Sequence, residues 1–420
     1  MDTPLHVEVV KRKESQASKE YIIELVNVYI KKFTSLLPGL ILFERDLEDP
    51  ELKSHVSSIT FCNIKQETEV KPTDCEVAYH VFTLDTFGSE VDTMTDEASG
   101  EDIQVADVWA LPAEEFHGLW ESLIYDSKIK EETIRFVETA FEFSDRCVNA
   151  NTIGCNRVVL LHGPPGTGKT SLCRALAQKL SIRLADRFTR ARLLEINSHS
   201  LFSKWFSESG KLVAKVFDHI REIAEDKRLL ACILVDEIES LVHARHAAMA
   251  GLEPSDSIRA VNAILTQLDR LKRYPNVLVL TTSNVTGAID VAFVDRADIK
   301  CLVGLPSEGA AYEILRGCCE ELMVRKVICP PEQLFGLRVL ETANFPDTEG
   351  SRTSLRLREV ACAAATAKVS ARALRRLPFL ARALFATRQT NLMCFIDALK
   401  SALRKYLDDT QTISGRNSVK

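Results

Sequence analysis

The chain has 420 residues, 46% of them hydrophobic and 27% charged, with a formal net charge of −6. That acidic balance argues against a protein that wraps nucleic acid by bulk electrostatics, and no apolar run approaches the roughly 20 residues of a membrane span. Twelve cysteines without a CxxC pair read as reduced thiols, and the charged stretch Met1–Glu20 lacks a signal peptide's apolar core, so an intracellular protein is expected.

Near the start, Leu5–Val10, Ile59–Ile64 and Val77–Leu84 are predicted as strands and Tyr21–Leu37 as a helix. Asp85–Asp107 holds eight Asp or Glu and no Lys or Arg, with Gly and Ser between them. It reads as a solvated linker or loop in preference to an acidic binding tail. From Arg157 to Val303, short apolar runs (157–161, 193–196, 229–235, 277–282, 299–303) alternate with helical patterns (171–180, 211–226, 257–272). Strands alternating with helices imply a mainly parallel sheet covered on both faces. After Pro306 the pattern is helical throughout, at 309–327, 355–368, 371–387 and 391–407. The expected fold class is therefore α/β, with a small N-terminal α+β domain at 1–100, a large domain at 101–305 and an all-α domain at 306–420.

Gly163-Pro-Pro-Gly-Thr-Gly-Lys-Thr170 is a complete GxxxxGK[ST] sequence between a predicted strand and a predicted helix. Gly163, Pro164, Pro165, Gly166, Thr167 and Gly168 form a loop whose backbone N–H groups can curl around phosphates. Ser171 follows at the helix start, whose dipole favours the same anions. Lys169 can reach the β- and γ-phosphates, and the Thr170 hydroxyl can ligate Mg2+. Cys232-Ile-Leu-Val-Asp-Glu237 is an apolar strand ending in two carboxylates. Asp236 is expected to hold the metal and Glu237 to act as general base towards water. Thr281-Thr-Ser-Asn284 ends the next strand, and Asn284 either orients that water or simply begins a turn. ATP and Mg2+ are the ligands these motifs suit.

In this chain order, with Val294-Asp-Arg-Ala-Asp298 following, the motifs resemble the AAA+ superfamily of P-loop NTPases. The resemblance implies that the all-α domain is a lid. It also implies that Arg296 reaches the γ-phosphate of a neighbouring subunit, a task suited to an always-charged guanidinium. A local ion pair with Asp295 or Asp298 is the alternative. Phe293 and Val294 stand where many relatives carry a second arginine, so a single finger is expected. The strings Glu115-Phe-His-Gly-Leu-Trp-Glu-Ser-Leu-Ile-Tyr-Asp126, Asn197–Lys211, Glu253–Asp256, Ala292–Lys300 and Leu377–Leu380 are similar to the pachytene checkpoint protein 2 family.

That likeness implies an ATP-driven homohexamer that unfolds or converts HORMA-domain proteins, reached through a HORMA-fold adaptor. The settings it implies are the meiotic recombination and synapsis checkpoint and the mitotic spindle checkpoint, in the nucleus at chromosomes and in the cytosol. Leu123, Ile124 and Tyr125 fall where such ATPases seat adenine. Arg372 matches the lid's sensor-2 arginine, although Ala371 stands where the family has Gly. Lys204, Trp205 and Phe206 match the loop that grips a threaded client, the alternative being helix-core residues. His243 and His246 lie three apart without a carboxylate or Cys pattern to complete a metal site. Ser351–Arg388 carries nine Arg or Lys against the single acid Glu359, with only Phe379 and Phe385 among them, and reads as a solvated face. The competing reading is an AAA+ motor acting on DNA, of clamp-loader or helicase type. The acidic charge, the aromatic pair at 205–206 and the long family strings weigh against it, so no direct nucleic-acid partner is expected; with no apolar run of spanning length, no membrane partner is expected either. A non-hydrolysing scaffold is disfavoured by the intact Glu237 and Arg296.

Overall fold

The computed structural model describes residues 5–36, 39–62, 76–95, 102–149, 151–197, 211–238, 256–284, 291–346, 348, 350–386 and 390–413. These fall into two compact units. The first comprises Met1–Ser122, Lys130–His162 and Thr170–Cys301, and the second Leu123–Ile129, Gly163–Lys169 and Leu302–Lys420.

The first unit begins with a four-stranded sheet of order β2-β3-β1-β4. Its strands are β1 (Leu5–Lys11), β2 (Ile41–Phe43), β3 (Val56–Cys62) and β4 (Val77–Phe82). Helix α1 (Lys19–Ile30) is capped by Ser18, whose side chain accepts the Tyr21 N–H. It buries Ile22, Val26, Tyr29 and Ile30, a stripe at helical spacing, against the sheet's Val7, Val9 and Ile59. The helix stops short of the predicted Leu37 because Lys31 and Lys32 break that stripe and Pro38 lies ahead. A short helix, α2 (Pro50–His55), leads into β3.

A seven-stranded sheet follows, of order β11-β7-β10-β9-β8-β6-β5. Its strands are β5 (Ser89–Thr95), β6 (Asp102–Leu111), β7 (Val158–His162), β8 (Arg190–Asn197), β9 (Leu229–Asp236), β10 (Val277–Ser283) and β11 (Ile299–Leu302). β8, β9, β10 and β7 run parallel in register, which leaves β9 and β10 buried almost end to end. The linker reading of Asp85–Asp107 does not hold. β5 and β6 are an antiparallel pair, and β6 joins the parallel strands antiparallel to β8. The acids are tolerated because β5 is an edge strand that needs only backbone partners on one side, and charge there also blocks further pairing. This sheet therefore takes in residues on both sides of residue 100.

The short helix α3 (Leu119–Ser122) and the longer α4 (Ile129–Asp145) precede β7 and α5 (Lys169–Arg183) follows it, while α6 (Lys211–Glu225), α7 (Asp256–Leu271) and α8 (Val291–Val294) separate the later strands. One sheet face, with Val158, Ile233 and Val279, meets Phe217, Ile220 and Leu268 of α6 and α7. The alternate residues Val159, Leu234 and Leu280 point the other way and are equally buried, so the sheet is covered on both sides. The four-stranded sheet is tied to this layer through Lys179 of α5. Its ammonium donates to Glu8 Oε2 at 2.5 Å, Glu121 Oε1 at 2.6 Å and Cys62 Sγ at 3.2 Å. Burial works against the Lys179 charge, yet its acidic neighbours outweigh burial and raise its pKa, and Glu121 is lowered in turn by Lys179 despite its own burial.

The second unit is helical: α9 (Glu308–Val324), α10 (Leu337–Thr342), α11 (Arg352–Thr366), α12 (Ala371–Leu384) and α13 (Leu392–Ile413). Tyr312, Leu315, Leu357, Val360, Leu374, Phe395 and Leu399 form its core.

Candidate active site

The phosphate loop is a backbone structure before it is anything else. Gly163, Gly166 and Gly168 all have positive φ, at 145°, 76° and 95°. A Cβ on Gly163 would lie 2.2 Å from the Val303 carbonyl oxygen, and one on Gly168 would lie 2.9 Å from the Tyr125 hydroxyl. The cradle therefore excludes side chains at the positions where phosphate oxygens must approach N–H groups. Thr167 is buried and its hydroxyl donates to Pro164 O at 3.0 Å, while Pro165 is exposed at the loop tip. The Lys169 ammonium donates to Gly163 O and Pro164 O, each at 2.8 Å, which keeps it folded along the loop.

Within the second unit this loop meets the segments singled out for adenine and for sensor 2. Tyr125 donates its hydroxyl to Gly168 O at 3.2 Å, Leu123 lies beside the same glycine, and Ile124 packs on the helical core. The Arg372 N–H donates to Gly166 O at 3.0 Å. Helix α12 begins at Ala371 with Ser370 as its N-cap, accepting from Ala373 N–H, so the missing glycine leaves the helix start intact.

The acidic centre is assembled in the first unit. Thr170 Oγ1 lies 3.0 and 3.1 Å from the two carboxylate oxygens of Asp236 at the end of β9. Asn284, just beyond β10, donates its amide to Glu237 Oε1 at 3.2 Å, which brings the expected water-orienting residue onto the expected base. Glu237 has a left-handed backbone, φ 56°, and its N–H donates to Thr282 Oγ1 at 3.1 Å. Thr282 also donates to Asp236 Oδ1. A hydroxyl beside a carboxylate is the hard-oxygen set that suits Mg2+, and the glycine cradle suits a triphosphate, so the residues fit the nucleotide and metal that the motifs imply.

Arg296 is held within the chain. Its guanidinium donates to both Asp269 oxygens, at 2.8 to 3.2 Å, and to Ala292 O at 2.6 Å. An ion pair does form, but with neither residue named from the sequence: Asp298 instead accepts the N–H groups of Asn156 and Val158, each at 3.0 Å. Asp269 is partly desolvated, and Arg296 and Lys272 nevertheless hold its pKa below the usual value. Sequence reasoning missed Thr282, Asp269 and Arg174, the last paired with Glu195 at 2.7 Å through two bonds. Asp269 and Arg174 belong to no spaced motif, and Thr282, although inside the Thr281–Asn284 string, carries no signal of its own there. Lys204, Trp205 and Phe206, with His243 and His246, lie outside the described residues.

The ATPase family associated with various cellular activities (AAA) matches residues 159–305, the TRIP13-like AAA+ ATPase lid C-terminal domain matches 307–407, and the TRIP13 N-terminal domain matches 1–87. The chain is 47% identical over 419 residues to the pachytene checkpoint protein 2 homolog of Rattus norvegicus, covering 98% of this chain and 95% of that one. It is 46% identical to the Homo sapiens homolog over 415 residues, with the same coverage. The solved structure of C. elegans PCH-2 aligns with a TM-score of 0.79 at 33% identity, covering 96% of this chain and 99% of that one. On these matches this chain belongs to the pachytene checkpoint protein 2 homolog family and is an AAA+ ATPase.

Proposed function

We propose that this ATPase works as a homohexameric remodeller that unfolds or converts HORMA-domain proteins, presented to it by a HORMA-fold adaptor. The observation that carries the hydrolytic part is the Asn284 amide on the Glu237 carboxylate, beside the Thr170–Asp236 contact. Thr170 and Asp236 would hold Mg2+, which would supply positive charge to offset the negative charge of the phosphates. Glu237 takes a proton from the attacking water while Asn284 fixes the direction of its carboxylate. Lys169 turns from the loop carbonyls to the phosphates, and Leu123, Ile124 and Tyr125 seat the adenine. Arg372 senses nucleotide from the lid, and Arg296 acts on the neighbouring subunit's nucleotide. Lys204, Trp205 and Phe206 grip the client, while residues 1–100 recruit it.

Membership of the family supports the client class. The same reasoning extends to action in meiotic recombination and the spindle checkpoint, in nucleus and cytosol, with no direct nucleic-acid partner. The test uses Glu237→Gln protein, which keeps Asp236 and removes the base, so ATP-bound assemblies accumulate. Its mass in solution and its captured partners, read by mass spectrometry, should give six subunits and a HORMA-domain protein. Capture of DNA instead, with DNA-stimulated turnover of the unaltered enzyme, would overturn the reading in favour of a nucleic-acid motor.

A further inference from the structure

Thr282 stands two residues before Asn284, and its side chain is fully buried. Its hydroxyl performs two tasks: the hydrogen goes to Asp236 Oδ1, and the oxygen receives the Glu237 N–H. Its own carbonyl accepts the Ile238 N–H at 3.0 Å. Three successive residues at the end of β9 are thus fastened to one residue of β10. Glu237 needs that fastening. Its left-handed φ of 56° is unfavourable for any residue with a Cβ, and such a conformation persists only where its surroundings over-determine it. The turn it makes is what aims its carboxylate at Asn284 Nδ2.

The neighbouring Thr281 shows what a merely structural threonine looks like here. It is equally buried, and its hydroxyl donates to the Val159 carbonyl at 2.9 Å, a backbone bond across the sheet that touches neither acid. The difference between the two lies in the partners, not in burial or strand position.

We propose that Thr282 is a positioning residue for ATP hydrolysis, its single hydroxyl setting both the Asp236 carboxylate and the backbone turn that aims Glu237. The proposal rests on the assignment of Glu237 as general base. Thr282→Val fills the same volume and supplies neither donor nor acceptor, leaving the Glu237 N–H without its acceptor. Displacement of a base by about 1 Å costs about 100-fold in rate, so a partial shift of this turn is expected to cost about 10-fold.

The experiment compares Thr282→Val, Thr282→Ser, Thr281→Val and Glu237→Gln in the full chain. Steady-state turnover, equilibrium binding of a fluorescent ATP analogue and amide exchange over 236–238 without nucleotide are measured. The expected result is that Thr282→Val lowers kcat about 10-fold or more while analogue affinity stays within about threefold, and that exchange at Glu237 accelerates. Thr282→Ser and Thr281→Val should keep kcat within about threefold and leave that exchange slow. Thr282→Val at full kcat beside an inactive Glu237→Gln would overturn the proposal. So would a Ser variant as slow as Val, or an affinity loss matching the loss in kcat. Should Thr282→Val fail to fold, Thr282→Ala against Thr282→Ser carries the same comparison, and equal rates overturn it. A fully active Glu237→Gln would instead remove the base assignment, an outcome distinct from the others.

Discussion

Lys179→Met removes the one ammonium that Glu8, Glu121 and Cys62 share while keeping the side chain's length and apolar stem. The three acceptor atoms lie within 4.8 Å of one another, and Lys179 and Glu8 are each 4% exposed at the side chain. Removing one partner of a buried pair costs about 3–5 kcal/mol, because the remaining charges stay desolvated and here repel each other. In the unaltered chain Glu121 is lowered, so its contribution is present above the unfolded value of 4.5 and is lost only as pH falls through the folded value. Lys179 is raised, so its contribution is present below 10.5 and is lost only as pH rises through its folded value. These two groups therefore add no pH dependence across neutral pH; the neighbouring His6, His80 and His117, lowered chiefly by burial, cost stability as pH falls below the ordinary histidine value, so the deficit is read as variant against unaltered chain at each pH.

In the variant the sign reverses. A carboxyl facing a second carboxylate without the ammonium takes up a proton on folding, so the deficit shrinks as pH falls, by up to about 1.4 kcal/mol per pH unit for one proton. Urea unfolding at pH 7.5 and pH 5.5, without nucleotide and followed by tryptophan fluorescence, measures both quantities. Trp120 is a local reporter, since Lys130 Nζ lies 5.2 Å from its ring centroid and donates to its carbonyl. Adding Glu8→Gln alone should recover much of the loss, because it ends the like-charge repulsion and leaves Glu121 with the neighbouring Lys130 as its counter-charge. A deficit below about 1 kcal/mol at pH 7.5, or one indifferent to pH, would refute the reasoning.

Gly163→Ala should weaken binding of an ATP analogue at least about tenfold while the lid's helical signal persists, because its Cβ meets the backbone oxygen of Val303 at 2.2 Å; unchanged affinity would remove the cradle argument. Arg296→Ala should bind ATP yet lose turnover, and mixing it with Lys169→Ala chains should restore part of that turnover; no rescue in confirmed mixed rings would leave Arg296 as the partner of Asp269 alone. Trp205→Ala should keep basal turnover and lose client conversion, read by a client-conversion assay; early melting of the variant would instead make Trp205 a core residue.

The motifs assigned to nucleotide binding and hydrolysis are legible in one dimension. Gly163 to Thr170 and Asp236–Glu237 must follow or end particular strands, so their chemistry is written as spacing along the backbone. The same holds for the parallel strands, whose continuous apolar runs have no other use. The acidic stretch at 85–107 was read as linker because composition reports solvent contact, and an edge strand is as solvated as a linker. The partners of individual side chains were out of reach for a related reason. Arg296 finds Asp269 27 positions earlier, Thr282 meets Asp236 46 positions away, and Lys179 reaches Glu8 across 171. Those contacts depend on the order in which strands lie in the sheet and on which way each side chain faces once it is there, and only the folded chain decides both.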